Sequence, residues 1–222
     1  MTADEAKKAA ALQALELVQP GMTLGLGTGS TAAHFVRALG ARIEAGLLIA
    51  GAVPTSQATA DLALAHGVPL IEPGPNTRFD LAVDGADEID PALTLIKGGG
   101  GALLREKIVA AAALRFVVIA DSGKRVARLG RFALPVEVTP FAWALTARQV
   151  AEALRAAGCA RDFLSLRQRD GAPFVTDGGN FILDAQAGEI PDPALLGQLL
   201  KAIPGVVEHG LFIGLAHEAI VV

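Results

Sequence analysis

The chain has 222 residues, 52% of them hydrophobic and only 5% aromatic, with 25 glycines and a formal charge of -4. Such a length holds one large domain, or one domain carrying a smaller one, and the composition suits an α/β enzyme with a buried parallel sheet. The acidic balance, without long Lys/Arg blocks, argues against a nucleic-acid partner. No segment approaches the ~20 apolar residues that span a bilayer, and the stretch 110–120 is interrupted by Arg115.

Thr2-Ala3-Asp4-Glu5 has the pattern of a capping box and predicts a helix over 3–18, ending before Pro20-Gly21. This start lacks the apolar core of a signal peptide. Residues 22–26 read as a short strand running into Gly27-Thr28-Gly29-Ser30-Thr31, and 32–39 as a helix closed by Gly40. A second strand over 47–53 leads to Pro54-Thr55-Ser56, where a hydroxyl can cap a helix over 57–65. Residues 68–71 form a third strand and 79–83 a fourth. The fourth runs into Asp84-Gly85-Ala86-Asp87-Glu88-Ile89-Asp90; Lys97 and Gly98-Gly99-Gly100-Gly101 follow. A helix over about 100–114 and a fifth strand over 116–120 lead to Asp121-Ser122-Gly123-Lys124. Strands alternating with helices specify a Rossmann-like, doubly wound parallel sheet, in which ligands bind beyond the carboxyl ends of the strands. Every motif quoted falls at that edge.

From about Gly130 the pattern changes. A strand over 134–138, a helix over 142–157, strands near 162–168 and 173–184 around Asp170-Gly171, a helix over 193–202 and a strand from Val206 give a β-α-β-β-α-β order. That is the ferredoxin-like arrangement. The stretch 215–222 returns to the first sheet. The expected division is therefore a Rossmann-like catalytic domain, 1–129 plus 207–222, and an inserted small α+β domain, 130–206.

The turn Gly27–Thr31 opens a helix, whose N-terminal amides and hydroxyls suit an anion; the plainer alternative is a tight turn with Ser30 or Thr31 as the cap. It is neither a dinucleotide fingerprint nor a Walker loop. The four carboxylates Asp84, Asp87, Glu88 and Asp90 would repel one another unless a cation compensates, and Lys97 is a candidate. Such charge at a sheet edge reads as a site rather than a solvated turn. Four glycines lose much conformational freedom on ordering, for which close approach of the backbone to a ligand is a reason. Glu106, in Arg105-Glu106-Lys107, reads equally well as an ordinary polar helix face. Lys124 either reaches a substrate phosphate or lies on the surface. The single cysteine, Cys159, permits no internal disulfide, is read as an apolar filler, and points to a reducing, cytoplasmic compartment. His34, His66, His209 and His217 are scattered without zinc-ligand spacing, and His34 and Trp143 read as packing. The acid run suits Mg²⁺ in principle, but no metal and no cofactor are assigned.

Taken together, GLGTGSTAAHF (25–35), DGADEID (84–90), KGGGGALLREKIVA (97–110), ADSGK (120–124), PVEV (135–138) and GVVEHGLF (205–212) resemble the A-type ribose-5-phosphate isomerases along essentially the whole chain. The resemblance implies cofactor-independent interconversion of D-ribose 5-phosphate and D-ribulose 5-phosphate, in the non-oxidative pentose phosphate pathway. Glu106 matches the proton acceptor that shuttles a proton between C2 and C1 through a cis-enediolate. Lys97 matches the lysine beside the reacting oxygens; Asp84 and Asp87 match aspartates that handle hydroxyls, one of them assisting ring opening. Thr28, Gly29, Ser30, Thr31, Gly85, Ala86, Gly98, Gly99, Gly100 and Lys124 complete the implied substrate site. Two departures are Leu104, where a threonine is common, and Gly101, which extends the usual three glycines. The implied partner is a small sugar phosphate, with no nucleic acid and no membrane, and the implied assembly is a homodimer or a dimer of dimers. Two rival readings are a non-catalytic sugar-phosphate sensor and an acyl-CoA transferase using a glutamate nucleophile.

Overall fold

The structure, a computed structural model, describes all 222 residues. In chain order the elements are α1 (Ala3–Leu15), β1 (Thr23–Leu26), α2 (Ser30–Glu44), β2 (Gly51–Pro54), α3 (Gln57–Ala65), β3 (Leu81–Asp84), β4 (Glu88–Ile89), β5 (Leu95–Ile96), α4 (Leu103–Ala111) and β6 (Phe116–Ala120). After a 3₁₀ turn at Ser122–Lys124 come β7 (Leu134–Val138), α5 (Trp143–Ala156), β8 (Phe163–Leu166), β9 (Gln168–Arg169), β10 (Ala172–Pro173) and β11 (Phe181–Gln186). The chain closes with α6 (Pro193–Lys201), β12 (Val206–His209), β13 (Leu211–Phe212) and β14 (Glu218–Val221). It divides into two compact units: Met1–Ala86 with Arg105–Lys124 and Gly214–Val222, and Asp87–Leu104 with Arg125–Ile213.

The first unit is built on a parallel sheet in the order β2-β1-β3-β6-β14. The expected third strand contracts to one parallel bridge, Ala52 to Leu70. Pro69 explains the contraction: its carbonyl accepts from Ala52 N, but it has no N–H to extend the ladder. With that bridge the order runs outward on both sides of β1 and β3, so the direction of winding reverses between them. The last apolar stretch does return to this sheet, Glu218 to Val221 pairing with Val117 to Ala120.

Period-two alternation sends Leu24, Leu26, Leu81, Val83, Val117 and Ile119 to one face, where they bury against Ala10 and Ala14 of α1 and Phe35, Val36 and Leu39 of α2. Each such side chain contributes about 1.5–3 kcal/mol through burial. Thr2 and Glu5 form the expected capping box at the start of α1. On the opposite face α4 lies so close to β1 that a Cβ on Gly25 would sit 2.4 Å from Val109 Cγ1.

The second unit holds an antiparallel sheet in the order β12-β7-β11-β8. Helices α5 and α6 pack against it through Val150, Leu154, Leu196 and Leu200, completing a ferredoxin-like β-α-β-β-α-β arrangement. Asp170 (φ 53°) and Gly171 (φ 79°) make the tight turn of the β9–β10 hairpin, a turn type that needs positive φ at both positions. A further small sheet, β13-β5-β4, has two-residue strands that no periodicity reveals.

Candidate active site

The first unit gathers its candidate side chains at the carboxyl ends of β1, β2, β3 and β6. β1 delivers Gly27 beside the point where the winding reverses. A Cβ on Gly27 would lie 2.1 Å from Asp84 Oδ1, so only glycine lets the last residue of β3 close on this loop. Asp84, 4% exposed, accepts from Thr28 N at 3.1 Å and from Gly85 N at 2.7 Å. A Cβ at Gly85 would come 3.9 Å from that of Thr31, so the turns after β1 and β3 abut.

Gly29, with φ 113°, is the N-cap of α2, and no side chain caps this helix. The alternative in which Ser30 or Thr31 is the cap is therefore corrected: both sit inside the first helical turn, because the chain enters through a backbone conformation open chiefly to glycine. First-turn amides without a capping side chain, at the positive end of the helix dipole, suit an anion. Lys7 of α1, which sequence reasoning passed over, donates to Ser30 Oγ at 3.1 Å.

The Thr28 hydroxyl turns inward. It meets Thr55 Oγ1 at 2.7 Å and donates to Ser56 Oγ at 2.9 Å; Ser56 donates to Thr59 Oγ1 at 3.0 Å, and Thr59 donates to the Gly27 carbonyl at 3.0 Å. This ring staples the loop to α3, whose expected cap is Ser56, accepting from Thr59 N at 3.1 Å. Lys124 is half-buried in the 3₁₀ turn after β6. Glu106 lies in the first turn of α4 and is 4% exposed. Beyond the far end of α4, Leu114 N donates to Phe79 O at the entry to β3, so its first turn lies toward the carboxyl edge. The N-terminal end of a helix favours a carboxylate there.

In the second unit, Lys97 follows β5, is 2% exposed and donates its amide to Gly210 O at 2.9 Å. Its Nζ stands 5.4 Å from the centre of the Phe212 ring, within cation–π range. Asp87 N donates to Ile96 O at 2.8 Å, and the Asp87 carboxylate accepts from Gly99 N at 2.8 Å. A Cβ on Gly99 would lie 2.7 Å from Asp87 Oδ1, and one on Gly101 2.5 Å from the Phe174 ring. Gly99 and Gly101 thus have reasons inside the protein, in addition to any approach of a ligand. Gly100 is exposed, and Ala86, in the first unit, is half-buried.

The remaining acids of the 84–90 run serve structure. Glu88, fully buried, accepts from Gly130 N at 2.7 Å and Phe132 N at 2.6 Å. Asp90 accepts from Ala92 N and Thr94 N in a local turn. Sequence reasoning also missed Arg167, which reaches the glycine run from far along the chain, and Asp184, which pairs with Arg167. Nothing local in the sequence marks them.

The residues predicted from sequence fall into two groups, Thr28–Thr31, Asp84, Glu106 and Lys124 in one unit and Asp87 with Lys97–Gly100 in the other. A family profile described as ribose 5-phosphate isomerase A (phosphoriboisomerase A) matches residues 51–222. A ribose-5-phosphate isomerase A from Parvibaculum lavamentivorans is 58% identical over 221 residues, covering 100% of this chain and 95% of that protein. A solved D-ribose-5-phosphate isomerase in complex with phospho-erythronic acid superposes with a TM-score of 0.90 at 39% identity, covering 100% of this chain and 96% of that one. The Plasmodium falciparum ribose 5-phosphate isomerase gives a TM-score of 0.93 at 35% identity, with 98% and 94% coverage. The chain belongs to the ribose 5-phosphate isomerase A family.

Proposed function

We propose that this protein interconverts D-ribose 5-phosphate and D-ribulose 5-phosphate through a cis-enediolate. The observation that carries the reading is the burial of two ionisable side chains, Glu106 at 4% and Lys97 at 2% exposure. Burying charge is costly, and such groups concentrate where chemistry needs them. Glu106 takes the proton from C2 of the open-chain aldose and gives a proton to C1, the hydroxyl proton passes from O2 to O1, and the Lys97 ammonium stabilises the oxyanion that develops on the enediolate. Asp84 and Asp87, each fixed by backbone amides, orient the sugar hydroxyls, and one of them assists ring opening. The phosphate is held at the uncapped start of α2 by Gly29, Ser30 and Thr31, with Lys124 and Lys7 as cations. Binding of phospho-erythronic acid by a relative supports a phosphorylated sugar as the ligand.

Neither the sensor nor the acyl-CoA transferase reading is favoured, because full-length relatives carry the isomerase name. A homodimer and a cytoplasmic location rest on the resemblance; no helix is long and apolar enough to cross a membrane. The test is incubation with ribose 5-phosphate, with and without EDTA, followed by ketose absorbance. Ketose formation that survives EDTA is expected; none in either arm overturns the proposal.

A further inference from the structure

We infer that Arg167, clamped by Asp184, is a positioning residue for this isomerisation, because it fixes the peptide group that holds Asp87. The inference rests on the role proposed above for Asp87 and Lys97. Arg167 Nη1 donates to Gly98 O at 2.8 Å and to Gly99 O at 3.1 Å. The Gly98 carbonyl and the Gly99 N–H belong to one peptide group, and that N–H donates to Asp87 Oδ2 at 2.8 Å. One peptide plane is thus held by a cation at its oxygen and by a carboxylate at its nitrogen. A cation on the carbonyl also polarises the amide and makes its N–H a better donor to Asp87.

The clamp is itself anchored. Asp184 takes Arg167 in a bidentate pair, Nε at 2.9 Å and Nη2 at 2.5 Å, which leaves Nη1 for the two carbonyls. The pair is mostly buried, with side chains 15% and 22% exposed. Asp184 stands in β11 between Pro135 and Ser165, and Arg167 N donates to Ile182 O at 2.8 Å, so both backbones are tied to the second unit's sheet. Its target is a run of four glycines, which has no side chains of its own to fix a conformation. The same segment supports the loop again at Phe174, whose ring lies under Gly101 and whose amide donates to Arg167 O at 2.8 Å. A planar fork can address a carboxylate on one edge and carbonyls with its remaining nitrogen; a lysine ammonium cannot.

The test compares wild type with Arg167→Lys, Arg167→Met and Asp184→Asn, measuring kcat and KM for ribose 5-phosphate and the thermal midpoint of each. Displacing a catalytic group by about 1 Å can lower turnover about 100-fold. We expect kcat to fall at least about 10-fold in Arg167→Lys and further in Arg167→Met, with KM moving less than about threefold. In a fourth variant, Arg167→Ala, added guanidinium should restore part of the lost kcat, which a purely structural role would not produce. If Arg167→Met fails to fold, Arg167→Lys and the shape-preserving Asp184→Asn decide. Folded variants with kcat within twofold of wild type overturn the inference while leaving the isomerase reading intact; inactive wild type overturns that reading itself.

Discussion

Glu88→Gln separates the acids that build the 84–90 turn from those that act in it. The Glu88 carboxylate is 0% exposed, and its two oxygens accept from different amides, Gly130 N at 2.7 Å and Phe132 N at 2.6 Å. Glutamine has the same shape but replaces one oxygen with an NH₂ group, which then faces a backbone N–H. The change removes one hydrogen bond to a charged acceptor, about 1.5–3 kcal/mol, and leaves a buried donor unsatisfied, about 1–3 kcal/mol. The expected destabilisation is therefore about 2.5–6 kcal/mol. For a protein of this length each kcal/mol moves the midpoint by about 2–4 °C, so thermal denaturation should occur about 10 °C earlier. Turnover per folded molecule, assayed as ketose absorbance well below the midpoint, should stay within about twofold of wild type, because Glu88 holds the 130–132 turn and no reacting group. Its neighbour should behave oppositely: Asp87→Asn is expected to keep its midpoint and lose turnover. A Glu88→Gln protein that melts like wild type, or that loses kcat while melting normally, would refute the reasoning.

Gly27→Ala should lower kcat/KM about 100-fold by pushing Asp84 off its amides, and cost about 1–3 kcal/mol in urea denaturation, since the new Cβ would sit 2.1 Å from Asp84 Oδ1. Thr59→Val breaks the hydroxyl ring at its bond to Gly27 O and should destabilise by about 1–3 kcal/mol, whereas Thr59→Ser should recover most of that loss. Burial pushes the Cys159 thiol up, so less thiolate is present at a given pH. Iodoacetamide at pH 8 should accordingly label the native protein more slowly than the protein in denaturant.

The α/β grammar was legible because strands such as Phe116–Ala120 are continuous apolar runs and because helix signals such as Thr2…Glu5 and Ser56 act locally. What stayed hidden depends on partners distant in sequence. The two-residue strands Leu95–Ile96 and Leu211–Phe212 exist only through each other. The acid run looked uniform as letters, yet Glu88 and Asp90 hold amides while Asp84 closes on a loop more than fifty residues earlier. The glycine run pointed to close approach, but not that Asp87 and Phe174 are among the groups approaching. Glu106 had no sequence signal beyond the resemblance, because a carboxylate in a first helical turn is ordinary until its burial is seen.

The central claim is that Glu106 carries a proton between two carbons. Its most direct test is isomerisation of ribose 5-phosphate in D₂O, with deuterium at C1 and C2 followed by NMR. Wild-type protein should place solvent deuterium at C1 of the ketose, and Glu106→Gln, folded as wild type, should lose turnover by about 10²–10⁴-fold together with that exchange. Near-wild-type turnover and exchange in Glu106→Gln would contradict the account.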